Sequence, residues 1–303
     1  MKKQALLIFA SAALLAGCNS DENEGMTAGD GRVALQVSSG INVQTRAHDD
    51  SWDKGDAIGI YMLNGETPES SNCKYTTSST AKEGSFTAAE GQTIYFPTSG
   101  DTRDFIAYYP WREYLAESGT YNVDVTDQAN QEAIDLMGAN KVTGKSKDNP
   151  VVSFAFTHKL VKLYMDIKPD GSSLSGTDLE GLKVTITNQR TKATYDVLAG
   201  GDVIVDTGGD AEEITLKTAA DGTSAEGIVL PTDDTADMLL TFTLKNGTTF
   251  TWAVKNAPKS QSFAAGSKYL YTITVGKTAL EVTSTVTDWT PGNGETGESG
   301  SAQ

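Results

Sequence analysis

The chain has 303 residues, enough for one large or two ordinary domains. Lys and Arg number 24 against 40 Asp and Glu, a formal charge of −16. That balance excludes a general nucleic-acid role and charge-driven adhesion to anionic lipid, both of which need basic patches. Two His and two Cys exclude most His/Cys metal and nucleophile chemistry. The 38 Thr and 11 Tyr favour strands over helices.

Met1-Lys2-Lys3 is a short basic start, and residues 4–16 are uncharged and mostly apolar. The stretch is too short to span a bilayer and reads as the core of a secretory signal. Leu15-Ala16-Gly17-Cys18 resembles a bacterial lipoprotein lipobox. The resemblance implies cleavage between Gly17 and Cys18, and lipidation of the Cys18 sulfur and its new amino group. Residues 1–17 are then a signal peptide. Residues 18–31 form an acidic tether, in which Asn19-Ser20-Asp21-Glu22-Asn23-Glu24-Gly25 offers nothing apolar to pack. An acidic stretch after the lipidated Cys also resembles the surface-export tag of lipoproteins in some anaerobic Gram-negative bacteria. More than one acyl chain makes such an anchor stable. Cys73 is then the last thiol, so no internal disulfide is expected.

The body reads as strands and turns. Val33, Leu35 and Val37 alternate with polar neighbours, and Ile41 and Val43 follow. Residues 44–50 are polar and loop-like, and Trp52-Asp53-Lys54-Gly55-Asp56 is a turn into a strand at 57–62. Further strands are expected at 92–96 and 104–109. Residues 129–137 carry the best short helix, with Ala133, Leu136 and Met137 at helical spacing. Lys145 to Pro150 is a polar, Pro-ended break, which places a domain boundary between 148 and 149. Val152, Phe154, Phe156, His158 and Leu160 alternate on one parity, then Val161, Leu163, Met165 and Ile167 on the other, which suggests a bulge. Strands follow at 182–187, 203–205, 214–216 and 228–230. Residues 238–254 read as a hairpin whose Asn246-Gly247 suits a type I′ turn. Two last strands cover 269–275 and 280–289. Residues 290–303 are rich in Gly, Ser and Glu and are expected to be disordered. Frequent short strands with little helix mean β-sandwiches: one over 32–148, a second over 149–289.

Most chemical motifs fail on inspection. Gly292-Asn293-Gly294-Glu295-Thr296-Gly297 matches a dinucleotide fingerprint but has no helix after it. Gly138 to Ser146 is one residue too long for a phosphate loop. Asp202, Asp206 and Asp210 could meet around calcium, as could Asp233, Asp234 and Asp237. On so acidic a chain, solvated loops are the ordinary reading. His158, in an apolar strand, reads as a satisfied core histidine. Tyr108, Tyr109 and Trp111 could form a sugar-binding platform if exposed, although such rings more often pack inside. Arg46 follows the first two strand segments. A cut there would free residues 33–43 and leave a groove that a strand from another molecule could fill.

Several segments together resemble the fimbrillin-like family of lipoprotein-derived pilus subunits. They are Thr45-Arg46-Ala47, the Trp52 to Met62 run, Ile94-Tyr95-Phe96-Pro97 and Asp104 to Pro110. Asp135-Leu136-Met137, Phe156-Thr157-His158-Lys159-Leu160 and Phe263 to Tyr271 continue the series. The resemblance implies an all-β fold of two tandem transthyretin-like β-sandwich domains with one or two short helices. It also implies no catalysis and no cofactor or metal. In polymerising members an arginine-specific protease removes the N-terminal strand, and a neighbour's donor strand replaces it. By that analogy the cut falls between Arg46 and Ala47, and the donor strand carries Leu280, Val282 and Val286. The implied partners are other pilus subunits, the outer membrane through the lipid, and a host or bacterial surface ligand. The alternative class is a surface lipoprotein that binds glycans.

Overall fold

The computed structural model describes residues 31–41, 51–78, 80–115, 118–277, 280–288 and 298–302. Among these, helix is limited to single 3-10 turns such as Gln131–Ala133, Gly176–Leu179 and Pro258–Ser260. The strands of the first half are β1 (Gln36–Ile41), β2 (Ala57–Asn64), β3 (Thr67–Thr77), β4 (Glu83–Ala88), β5 (Arg103–Tyr109), β6 (Thr120–Asp124), β7 (Met137–Ala139), β8 (Val142–Lys145) and β9 (Val151–His158). Those of the second half are β10 (Val161–Pro169), β11 (Lys183–Gln189), β12 (Lys192–Asp196), β13 (Ile204–Val205), β14 (Glu212–Thr215), β15 (Lys217–Thr218), β16 (Ser224–Val229), β17 (Leu239–Thr243), β18 (Thr249–Ala253), β19 (Ser267–Val275), β20 (Leu280–Asp288) and β21 (Glu298–Ala302).

The first sheet runs β2-β3-β4-β1-β9-β7-β5-β8, and a further β2–β5 pairing closes its first seven strands into a ring. Closure removes the open edges that a sandwich would leave. It requires close approach at Gly59, opposite Tyr108. A Cβ there would lie 2.2 Å from Tyr108 Cε1, so only glycine lets β2 and β5 meet. Inside the ring, Trp52, Ile58, Ile60, Phe105, Val152, Phe154 and Phe156 are all almost fully buried.

The other half holds a six-stranded sheet, β15-β16-β10-β19-β20-β21, and a four-stranded sheet, β14-β11-β17-β18. Their inner faces supply one apolar core, with Leu163, Met165, Val184, Ile186, Leu240, Phe242, Tyr271 and Ile273 buried. A third layer, β13-β12-β6, lies over the outer face of β5, where Ile106 and Tyr108 meet Tyr121 and Val123. Buried Gln128 adds a polar fastening: its amide donates to Val125 O and Ile228 O, and its oxygen accepts from Ile228 N at 2.8 Å.

Several expectations are corrected. Residues 145–150 are a turn within one sheet, since β8 and β9 both belong to the first sheet and Ser146 bridges Asn149. A division at 148/149 therefore falls inside the first sheet, and the chain passes to the second between His158 and Val161. That crossing, rather than a bulge, accounts for the parity switch. Residues 129–137 form no α-helix: the 3-10 turn ends early and Met137 begins β7, opposite Tyr109 and His158. Residues 92–96 contribute a single bridge, Ala34 to Tyr95, although Ile94 and Phe96 are buried. In the 238–254 hairpin Gly247 has φ +87° but Asn246 has no positive φ. The turn closes by Gly247 N donating to Leu244 O, which is not the type I′ geometry. Glu298–Ala302, expected in a disordered tail, pairs with β20.

Two carboxylate pairings join strands on the surface. Arg103 donates to both oxygens of Glu69, at 2.6 and 3.0 Å, and these bonds hold the Glu69 carboxyl below its ordinary 4.5. At Asp124 burial acts upward, but hydrogen bonds from Lys192 and Thr126 outweigh it and bring the carboxyl to about 2. Both groups bind protons less readily folded than unfolded. Their contribution is complete above about pH 4.5 and is lost as pH falls towards 2. Urea midpoints are expected to drop across that window. The double variant Glu69→Gln, Asp124→Asn should flatten the drop by about 1 kcal/mol, a modest figure because both carboxylates are open to water.

Candidate functional site

The first described strand of the chain lies in the middle of its sheet. β1 pairs antiparallel with β4, Val37 opposite Phe86 and Ser39 opposite Gly84. On its other side it runs parallel to β9, from Gln36 opposite Val151 to Ile41 opposite Phe156. Alternation sends Leu35, Val37, Ser39 and Ile41 to the ring interior, where the first three are at most 7% exposed. Just before it, Leu35 N donates to Ile94 O and Phe96 N to Val33 O, at 2.9 and 3.0 Å. Burying one such Leu or Val is worth about 1.5–3 kcal/mol. β1 is therefore a core component of the ring, yet its N-terminal side joins no other described strand in sequence.

Arg46 and Ala47 lie outside the described residues, as do Gly17, Cys18, His48 and Trp289. Trp52 exchanges two backbone bonds with Ala81. Trp52 is fully buried and meets Phe86, Tyr109 and Phe156 edge to face, with centroids 5.1, 5.5 and 5.2 Å apart. The ring is thus closed by aromatic packing on both sides of β1. A shallow groove of about 320 Å³ runs along Ser38 to Ile41, between Glu83 of β4 and Phe154 of β9.

The donor-strand candidates Leu280, Val282 and Val286 sit on β20. The first two are 2% exposed, and Val286 packs half-buried on the same core. β20 pairs antiparallel with β19 along its whole length and with β21 on its other side.

The aromatic platform does not form. Tyr108 is fully buried, its hydroxyl donating to Asn72 Oδ1 at 2.7 Å. Tyr109 is buried and donates to Asp56 Oδ1 at 3.1 Å. Trp111 is half-buried, its indole N–H donating to Asn72 O and its face covered by Lys74 Nζ at 4.4 Å. These rings anchor the segment after β5 to β3 and offer a sugar no exposed, coplanar surface. His158 is a packed core histidine, with Nδ1 2.8 Å from Asp135 Oδ1.

His158 also borders a cleft of about 490 Å³ at one end of the ring, beside Ile41, Trp52, Asp56 and Lys162. Its polar groups are matched locally, Asp135 lying against His158 and Glu226 pairing with Lys162 and Lys217. Burial raises the Asp56 carboxyl, which accepts hydrogen bonds from Asp53 N and Tyr109. Among the described residues no three His, Cys, Asp or Glu side chains gather at metal-ligating distance. Of the aspartates weighed for calcium, Asp206 accepts from Gly208 N and Asp234 from Ala236 N, each closing its own loop. Cys73 is a half-buried free thiol, pushed up by burial.

The model of the family described as fimbrillin-like matches residues 45–289. The chain belongs to the fimbrillin-like family. A Bacteroides uniformis protein named as a candidate fimbrium subunit, Fim1C, is 57% identical over 307 residues and covers both chains completely. A solved structure of a candidate cell adhesion protein, also from Bacteroides uniformis, is 56% identical, with a TM-score of 0.80. It covers 87% of this chain and 100% of that one. One from Bacteroides ovatus, at 21% identity, shares the fold, with a TM-score of 0.69 over 86% and 99% of the two chains. A fimbrillin-like chain is structural rather than enzymatic, as the resemblance implied. Sequence reasoning missed that β1 is flanked on both sides: β4 and much of β3 are polar and lack the alternation that reveals strands.

Proposed function

We propose that this chain is a cell-surface fimbrial subunit, assembled by exchange of its first strand and supporting adhesion. It is exported as a lipoprotein held in the outer membrane through Cys18. Hydrolysis of the Arg46–Ala47 peptide bond then releases residues up to Arg46, β1 included. A strand from a neighbouring subunit fills the space. The observation that carries the reading is the position of β1: central in its sheet, first among the described strands, and five residues before Arg46. Its loss leaves β4 and β9 with unsatisfied backbone groups and the ring with an open apolar seam, and an added strand satisfies both.

The tandem transthyretin-like reading belongs to the same proposal. It is supported by an equivalence between the two halves. β10, like β1, has an antiparallel neighbour on one side (β16) and a parallel one on the other (β19). The boundary that fits this equivalence is Lys159–Leu160. Residues 1–17 as signal peptide and 18–31 as tether complete the organisation.

The test is the N-terminus of surface-extracted protein by mass spectrometry. Chains beginning at Ala47 are expected in the fimbrial fraction and lipidated Cys18 in precursors. Lipidated Cys18 in every surface molecule would exclude strand removal.

A further inference from the structure

β11 carries an extra residue near its end. Ile186 pairs with Ile214 and Gln189 with Glu212, so three steps along β11 match two along β14. Asn188 absorbs the difference with a left-handed φ of +57°, which asparagine tolerates better than most residues with a side chain. A bulge of this kind re-aims the side chains beside it. Here it sends Gln189 inward, 1% exposed, while Asn188 stays on the surface. The Gln189 amide nitrogen donates to Thr187 O at 3.2 Å and to the Met238 thioether, a weak acceptor, at 3.0 Å. No described residue donates to its oxygen, and that oxygen is not sealed from solvent as the Trp252 indole nitrogen is. Burying an amide on such terms costs stability that an apolar side chain would not.

Gln189 borders a cavity of about 400 Å³, walled by the bulge, by Val205 of β13 and by the chain from Leu230 to Asp234. That size lies within the ~300–1,000 Å³ of small-ligand sites. Asn188, Arg190 and Asp233 stand at its rim. Arg190 gives one of its N–H groups to Gly209 O. In the cleft beside His158 the polar groups answer one another. Here the Asn188 side-chain amide and the Asp233 carboxylate have no partner among the described residues. We propose that this cavity binds a neutral sugar unit of a glycan.

The chemistry of the lining selects that class. A sugar hydroxyl both donates and accepts, and a planar carboxylate, amide or guanidinium can hold two neighbouring hydroxyls at once. Three such groups share this rim, and Gln189 Oε1 accepts from the hydroxyl that enters deepest. Half-buried Val205 and Pro231 meet the C–H face of the ring. Asp233 and Asp234 against one Arg disfavour a phosphate or a carboxylate, and Arg190 disfavours an ammonium. Among the described residues no third metal-ligating side chain joins the two aspartates, which sets a metal ion aside. The inference adds a ligand class to the adhesive role above and does not depend on strand exchange. Sugar binding by chains that all keep lipidated Cys18 would support the pocket and sink strand exchange alone.

The test is titration of the full chain, held in detergent, with the methyl glycosides of glucose, galactose, mannose, fucose, N-acetylglucosamine and N-acetylgalactosamine. The readout is the side-chain amide signal of Gln189 in nitrogen-resolved NMR. At least one glycoside is expected to shift it saturably at millimolar concentration. Asp233→Ala is expected to weaken that binding about tenfold or more, since a hydrogen bond to a charged group is lost. Asn188→Gly, which suits the positive φ, should weaken it as well. Asp148→Ala, in the turn of the first sheet, should leave it unchanged. Asp233 and Asp148 are both exposed, so circular dichroism of either variant should match the parent. No shift with any neutral glycoside overturns the proposal, as do shifts that Asp233→Ala and Asn188→Gly leave unchanged. Tighter binding of the methyl glycoside of N-acetylneuraminic acid, or of methylammonium, than of every neutral glycoside overturns the ligand class.

Discussion

Arg46→Ala is expected to abolish processed chains in the fimbrial fraction and to leave β1 in its ring. Surface molecules should then carry lipidated Cys18, and negative-stain microscopy of the variant should show no filaments. The argument is topological. β1 is locked between β4 and β9 by backbone pairing on both edges and by Leu35, Val37 and Ile41 on its inner face. No added strand can pair with β4 or β9 there while β1 stays. Circular dichroism of the variant should match the parent, because no described strand includes residue 46. Arg46→Lys separates two kinds of protease. A pocket that reads the planar guanidinium bidentately discriminates strongly against an ammonium, whereas one that reads charge alone tolerates it. Filaments made normally by Arg46→Ala would remove the cleavage site from the proposal.

What the sequence revealed follows from where side chains carry information. The β1 segment, the 57–62 strand, the 104–109 strand and the 238–254 hairpin were legible because one or both faces are apolar at period two. β3, Thr67–Thr77, was not: it reads Thr-Pro-Glu-Ser-Ser-Asn-Cys-Lys-Tyr-Thr-Thr, and its early residues face water on the ring exterior. Ring closure was illegible for a different reason. It depends on β2 pairing with both β3 and β5, a non-local choice recorded only in Gly59 and the Tyr108 ring that lies over it. The false helix at 129–137 rested on three apolar residues. Leu136 and Met137 are buried because the chain there turns into β7, not because they share a helical face. The site divides similarly. Arg46 was conspicuous as a lone basic residue in a polar stretch, and the β20 side chains by alternation. That β1 is central rather than an edge strand needed the β4 and β9 registers.

Trp52→Ala is expected to destabilise the chain by about 3–5 kcal/mol, the usual cost of deleting a fully buried large aromatic. Guanidinium unfolding should show it as a lower midpoint. Trp52 is the keystone of the first ring because its neighbours come from three different strands: Phe86 from β4, Tyr109 from β5 and Phe156 from β9. β4 and β9 are the two strands that flank β1, so Trp52 spans the seam that β1 fills. Its indole nitrogen is buried and has no hydrogen-bond partner among the described residues, so its contacts there are made through shape rather than through a polar group. Trp52→Phe should therefore recover most of the loss, leaving a deficit of about 1–2 kcal/mol set by the missing ring volume. A polar role would predict the opposite, with Phe and Ala alike. The same geometry gives a second readout. Without the indole bridging β4 and β9, backbone amides of β1 should exchange with deuterium faster relative to those of β19 in the second core. Equal acceleration in both would mean that Trp52 stabilises the whole chain and has no special hold on the seam.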